Sequence, residues 1–220
     1  MNLYYWHGTC FFALYLFRQK CQIFCVVHFW GMNPIVHTEE FGFKSIESGE
    51  ANKRVWLFTR EHGLIVATVQ GVRKSGAKLR SHIIDYTYIN ADLVKGRDVW
   101  RLVSAQVISN PFVGLYDKMR ARSFVRALSL VERFCIEEGA EPEIFEHLLE
   151  TMKTLNINSD NDKLFDAVVL WKILVMLGYL ELAEEFKDLF EKDILEISPK
   201  EDTVKRLVKD VSDAINRTHL

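Results

Sequence analysis

With 220 residues, 49% of them hydrophobic, the chain has enough apolar side chain to bury a core and enough length for one large domain or two small ones. Its net charge of −2 is unevenly spread: residues 33–110 carry 11 basic and 8 acidic side chains, and residues 111–220 carry 15 and 22. No uninterrupted apolar run reaches the roughly 18 residues of a membrane-spanning helix, and the four cysteines, three within the first 25 residues, make no disulfide framework, so a reducing, cytoplasmic compartment is expected.

The segment from Tyr4 to Trp30 is dense in aromatics but broken by Arg18, Gln19, Lys20, Gln22 and His28. Its positive charge follows the run Phe11–Phe17 instead of preceding it, and no small-residue cleavage site appears, which argues against a secretory signal. Met32 opens a segment that reads like an ordinary N-terminus, so residues 1–31 are read as a non-native extension or disordered tail. His7, Cys10, Cys21, Cys25 and His28 have the chemistry to ligate zinc. No glycine separates Cys21 from His28 to form a tight knuckle, and no metal is expected.

From Ile35 the pattern turns to short strands: 35–46, 53–59, Leu64–Val72, Ile83–Val94 and Val99–Ile108, separated by turn clusters such as Glu47–Glu50 and Arg60–Gly63. Five short strands in so few residues predict a small barrel of OB type over residues 32–110. After Asn110 and Pro111 the period changes from 2 to 3.6. Helices are predicted over Ser123–Glu138, Glu143–Leu155, Lys163–Leu177 and Leu182–Ile194, with a last one opened by Ser198 as N-cap, Pro199 and Glu201. The fold class is therefore α+β, an N-terminal five-stranded barrel followed by an all-α domain over residues 111–220.

The loop from Gly71 to Arg80 carries Arg73, Lys74, Lys78 and Arg80. It is not a nucleotide P-loop, because Ala77 intervenes after Gly76 and Leu79 stands where a hydroxyl must hold magnesium. Four cations on one loop suit the nucleic-acid backbone, where Lys and Arg displace counterions without base-specific geometry; a solvated hairpin with no partner is the plain alternative. Lys118, Arg122 and Arg126 recur at spacings of four and so share a helix face, although Asp117, Glu132 and Glu137 offer them surface partners. In the run Val55–Phe58, alternation puts Val55 and Leu57 on one face and Trp56 and Phe58 on the other; Trp56 is a candidate stacking platform for a base, or else a core aromatic. His62, His82 and His147 stand singly and no nucleophile elbow or paired-carboxylate motif occurs, so no enzyme is expected.

From Ile35 onward these residues resemble the RecO family of recombination mediators. The opening IVHTEEFGFKS is similar to that family's first strand, SGEANKRVWLFTREHGLIVATVQGVRKS to its second and third strands with the basic loop, and LWKILVMLGYLEL (Leu170–Leu182) to its apolar helix ending in Leu-Gly-Tyr. Asn52 stands where the family commonly has Asp, no Cys-based zinc module follows Leu-Gly-Tyr, and the residues before Met32 have no counterpart. The resemblance implies binding of single- and double-stranded DNA, strand annealing, cooperation with RecR, recognition of the acidic C-terminal tail of single-strand binding protein, and indirect help to RecA loading, with no cofactor and no membrane. Lys53, Arg73, Lys74, Lys78 and Arg80 are then expected to track phosphates on the barrel, with Lys118, Arg122 and Arg126 extending the path and Trp56 stacking. A non-catalytic adaptor that uses the barrel only as a scaffold is the competing reading.

Overall fold

The computed structural model describes residues 34–113, 118–135, 139–157, 162–197 and 200–217. The zinc candidates His7, Cys10, Cys21, Cys25 and His28, the cap residues Ser198 and Pro199, and Asp117 and Glu137 lie outside these described residues. Five strands, β1 (Ile35–Ser48), β2 (Asn52–Thr59), β3 (Gly63–Val69), β4 (Tyr88–Lys95) and β5 (Trp100–Ser109), close into a barrel in the order β1-β2-β3-β5-β4. Every neighbouring pair is antiparallel except β3 and β5, which run parallel through Ala67 with Trp100 and Thr68 with Arg101. That closure is the OB arrangement, and the helices that follow make the fold α+β, as the sequence pattern predicts.

Strand alternation fills the barrel. Val55 and Leu57 of β2, Ile65, Ala67 and Val69 of β3, Ile89, Ala91 and Leu93 of β4, and Trp100, Leu102 and Ala105 of β5 form one buried cluster. Val72, just past β3, joins it, with Leu79 and Ile83 packed against it. Glu40 is the exception. It pairs with Ile89 and with Thr59 across β1, so it shares their inward face; it is 0% exposed and neither carboxylate oxygen has a hydrogen-bond partner.

The register of β1 slips between Gly42, opposite Leu57, and Lys44, opposite Trp56. Phe43 is the extra residue of this bulge, and the slip returns Lys44 to the outer face that strict alternation would have denied it. Phe41, Phe43, Phe58 and Tyr88 therefore all face outward into a second core shared with the helices. The chain re-enters β4 by an unusual route: Tyr86 has φ +62, its N–H donates to Gly42 O at 2.6 Å, and Gly42 N–H donates to Thr87 O at 2.9 Å. This clamp keeps 83–87 out of the sheet, so the strand expected from Ile83 starts only at Tyr88.

Among the described residues four longer helices and one short one follow: α1 (Lys118–Phe134), α2 (Pro142–Thr154), α3 (Asp162–Met176), α4 (Lys187–Glu191) and α5 (Glu201–Arg217). The apolar α3 is central and buries Leu164, Phe165, Val168, Leu170, Trp171, Ile173 and Leu174. It ends at Gly178, φ +76, where N–H groups of Gly178 and Tyr179 turn back to Val175 O and Leu174 O, an end that glycine adopts without steric cost. The single helix predicted over Leu182–Ile194 is broken instead into a 3-10 turn at 184–186, α4 and a second turn at 194–196. Extended backbone at Ala183 and Lys192 interrupts it. Side chains of the neighbouring helices hold the broken form: Lys172 Nζ donates to Lys192 O at 2.5 Å, and Ile194 N–H donates to Glu150 Oε1 at 2.7 Å.

Aromatic packing joins barrel and helices. Phe145 of α2 lies 5.2 Å from Phe41 and 6.0 Å from Phe58, and Phe124 of α1 lies 6.1 Å from Phe41 (centroid distances). Ion pairs frame the seam: Lys44 with Glu132 of α1, and Arg60 with Glu146 of α2, the Arg60 guanidinium lying over the Phe145 ring at 5.0 Å. At the β2–β3 turn Gly63 has φ +66, and a Cβ there would sit 1.8 Å from Gly139 O in the connection between α1 and α2.

Candidate nucleic-acid interface

The outer face of β2 and β3 carries a surface groove of about 350 Å³. Arg54 and Trp56 come from β2, Val66 and Thr68 from β3, and Asp98 and Val99 from the β4–β5 loop, which Gly96 N–H closes onto Val99 O at 3.0 Å. In an OB barrel the β2–β3 face between the β1–β2 and β4–β5 loops is where oligonucleotides bind. Arg54 is exposed, as is Arg101, the register partner of Thr68 at the start of β5. The Trp56 indole is half-buried, and the Lys44 ammonium lies 4.7 Å from its ring centre. Aromatic surface next to cations is the combination that holds single strands by stacking and backbone neutralisation.

The basic loop sits beside this groove, fastened to the β1–β2 turn. Asn52 Oδ1 accepts Gly71 N–H at 2.9 Å, so the residue that departs from the resembled pattern secures the positive-φ glycine (φ +66) opening the loop. Arg73 N–H donates to Ala51 O at 3.0 Å, and the Arg73 guanidinium donates to Gly49 O at 2.9 Å and pairs with Glu47 at 3.0 Å. Arg73 is thus already engaged in holding two loops together. Lys74, Lys78 and Arg80 are exposed, Lys78 and Arg80 on a 3-10 turn whose Leu79 packs inward. Lys53 donates to Ser45 Oγ at 3.2 Å and is half-buried.

The helical stripe stands apart from that surface. Lys118, Arg122 and Arg126 are exposed on α1, and Arg126 pairs with Asp166 of α3. Arg122 and Arg126 line a groove of about 440 Å³ with Met119, Lys163 of α3 and Val208 of α5, and no barrel residue contributes to it. The sequence pattern passed over Arg120, which is 2% exposed: its guanidinium donates to Asp162 Oδ1 at 3.2 Å and to Thr154 O at 3.1 Å, bonds Ile157 O, and lies over Phe165 at 4.8 Å. It also passed over Lys44, Arg54 and Arg101. Cations at outward strand positions were the signal that could have found them.

The strongly perturbed groups lie away from the groove. Burial pushes His147 down to about 4, with Lys172 lowering it further against a hydrogen bond to Val169 O, and burial also lowers the Lys172 ammonium. Burial pushes the Cys135 thiol up to about 12 and raises the Tyr88 phenol, whose hydroxyl donates to Glu39 at 2.5 Å. Burial alone raises Glu40. Among the described residues no cluster of three His, Cys, Asp or Glu side chains could hold a metal, and no helix is long and apolar enough to cross a membrane.

Residues 32–111 match the family model described as recombination protein O N terminal. The chain is 28% identical over 137 residues to the DNA repair protein RecO of Dehalococcoides mccartyi (62% of this chain, 53% of that protein). It is 30% identical over 136 residues to that of Bacillus subtilis (61% and 52%), and 28% identical over 140 residues to that of Gloeothece citriformis (61% and 48%). The chain spans about half the length of the curated relatives it matches.

Proposed function

We propose that this chain, which carries the N-terminal domain of the recombination protein O family and is a homologue of DNA repair protein RecO, is a non-catalytic DNA-binding recombination mediator. The observation that carries the reading is the β2–β3 groove, with Trp56 and Arg54 on its wall, on the barrel face that suits nucleic acid. Single strands lie along this face, a base stacks on the free surface of Trp56, and Arg54, Arg101, Arg73, Lys74, Lys78 and Arg80 neutralise phosphates; Lys53, which pairs with inward Val69 and bonds Ser45, stands at the barrel end and not on this face. Double strands meet the same cations through the backbone alone. Annealing follows because neutralised strands approach each other while most bases stay available for pairing.

Partners take the helical layer in this reading. The groove on α1, α3 and α5 is lined by Met119 and Val208, by the cations Arg122, Arg126 and Lys163, and by Asp162 and Asp166, which pair with Arg120 and Arg126; Arg122 and Lys163 are the cations it offers to the acidic tail of single-strand binding protein. RecR and, indirectly, RecA complete the set expected of a mediator, acting in the cytoplasm at the nucleoid.

Binding of the full chain to labelled oligothymidylate across a salt series tests the reading. If about four to six phosphates are engaged, log affinity falls against log salt with a slope of roughly −3 to −4. Trp56→Ala weakens binding by roughly 5- to 100-fold if one base stacks there. Replacing Lys74, Lys78 and Arg80 together by Ala lowers the slope magnitude by about 2. Salt-independent binding, or full affinity in the Trp56→Ala, Arg54→Ala double variant, would remove DNA from this face. Loss of DNA binding with retained binding to RecR would favour the adaptor.

A further inference from the structure

We propose that Glu132 of α1 is a built-in competitor for the phosphate path: it occupies the Lys44 ammonium beside Trp56 and holds nucleic-acid affinity below what the barrel face alone would give. The inference rests on the reading of the β2–β3 face as the DNA-binding surface and adds a restraint on it.

Three observations place the competitor. The β1 bulge puts Lys44 on the outer face opposite Trp56, where its ammonium lies over the ring at 4.7 Å. The same ammonium pairs with Glu132, which reaches it from the helical layer. Lys44 is nevertheless 44% exposed and Glu132 26% exposed, so the pair sits at the rim, where solvent and an incoming phosphate reach the lysine. A lysine wedged against an aromatic at the edge of a groove is positioned to neutralise the phosphate of a nucleotide whose base lies on that aromatic. A carboxylate already bonded to it must be displaced first, or must share it at the cost of repulsion with the phosphate. A rim pair of this kind contributes little to stability, so its removal leaves the fold intact. Its effect is on the ligand.

Glu132 also decides where the ammonium points. It belongs to α1, the helix whose Phe124 packs on Phe41.

The test is binding of labelled oligothymidylate to the full chain and to Glu132→Gln, Lys44→Met and the double variant, with Glu181→Gln, an exposed carboxylate outside this contact, as the control for net charge. Glu132→Gln should tighten binding by about 3- to 10-fold at low salt and steepen the salt slope by about 0.7, the value for one more phosphate on a single strand. Glu181→Gln should change affinity less than about 2-fold. In the Lys44→Met background the Glu132→Gln gain should fall to the level of that control. Wild-type affinity in Glu132→Gln, weaker binding in it, or an equal gain in the Lys44→Met background would overturn the inference while leaving the DNA-binding face standing. No binding by the wild-type chain, or unchanged binding by Trp56→Ala, Arg54→Ala, would overturn the face and the competitor together.

Discussion

Arg120→Met is expected to lose about 3 kcal/mol of stability, the cost of breaking a buried charged network from one side, and to lower the thermal midpoint by roughly 6–12 °C in a chain of this size. The guanidinium bonds both Thr154 O and Ile157 O, and it bonds Asp162 at the start of α3 as well. Its removal takes the donor from Ile157 O and leaves Thr154 O with the Ile157 N–H alone, with only a thioether where the guanidinium stood. Arg120→Lys should recover little, because one ammonium cannot spread over acceptors that a planar fork reaches together. Denaturant unfolding of both variants measures this, and a loss below about 1 kcal/mol would show that the network is dispensable.

Glu40→Met is expected to act in the opposite direction, raising stability at pH 7 by about 2 kcal/mol, because an unsatisfied carboxyl in an apolar interior is replaced by a side chain of similar volume. The thermal midpoint should rise by roughly 4–8 °C. The gain depends on pH, and the direction follows from the shift. Burial raises the Glu40 pKa in the folded barrel, so folded protein holds a proton over a window in which the unfolded chain, ordinary at about 4.3, has released it. That proton stabilises the wild type fully below the unfolded value, and the contribution is lost as pH rises through the folded value. The difference between variant and wild type should therefore be small near pH 4 and grow towards neutrality. A constant difference from pH 4 to 8 would mean that Glu40 does not titrate with folding.

The barrel was legible because its strands keep a period of two over runs long enough to count, and Val55 with Leu57 against Trp56 with Phe58 sort inward and outward as alternation requires. It stopped being legible where backbone departs from the period. The bulge at Phe43 and the Tyr86–Gly42 clamp depend on partners far along the chain, so Ile83–Thr87 reads as strand and is not one. The helix expected over Leu182–Ile194 failed for a related reason: tertiary bonds from Lys172 and Glu150 outweigh its local preference. Among the candidate site residues, the loop cations announced themselves by clustering. The cations on the outer strand faces did not, since Lys44, Arg54 and Arg101 lie on three different strands and meet only when the sheet closes. Arg120 was hidden among Lys118, Arg122 and Arg126, because spacing alone cannot tell the buried member of such a run from the exposed ones.

The aromatic seam between barrel and helices sets a timing problem during synthesis. All five strands are complete at Ser109, yet Phe41, Phe58 and Tyr88 wait for Phe145 of α2, which lies 36 residues further along. At about 5–20 residues per second the ribosome needs roughly 2–7 s to deliver it. Until it arrives the finished barrel presents Phe58 and Tyr88 without their helical cover, a sticky surface that persists far longer than hairpin formation itself takes. Nascent chains stalled between Ser109 and Phe145 are therefore the species of this protein most exposed to aggregation and most in need of chaperone cover.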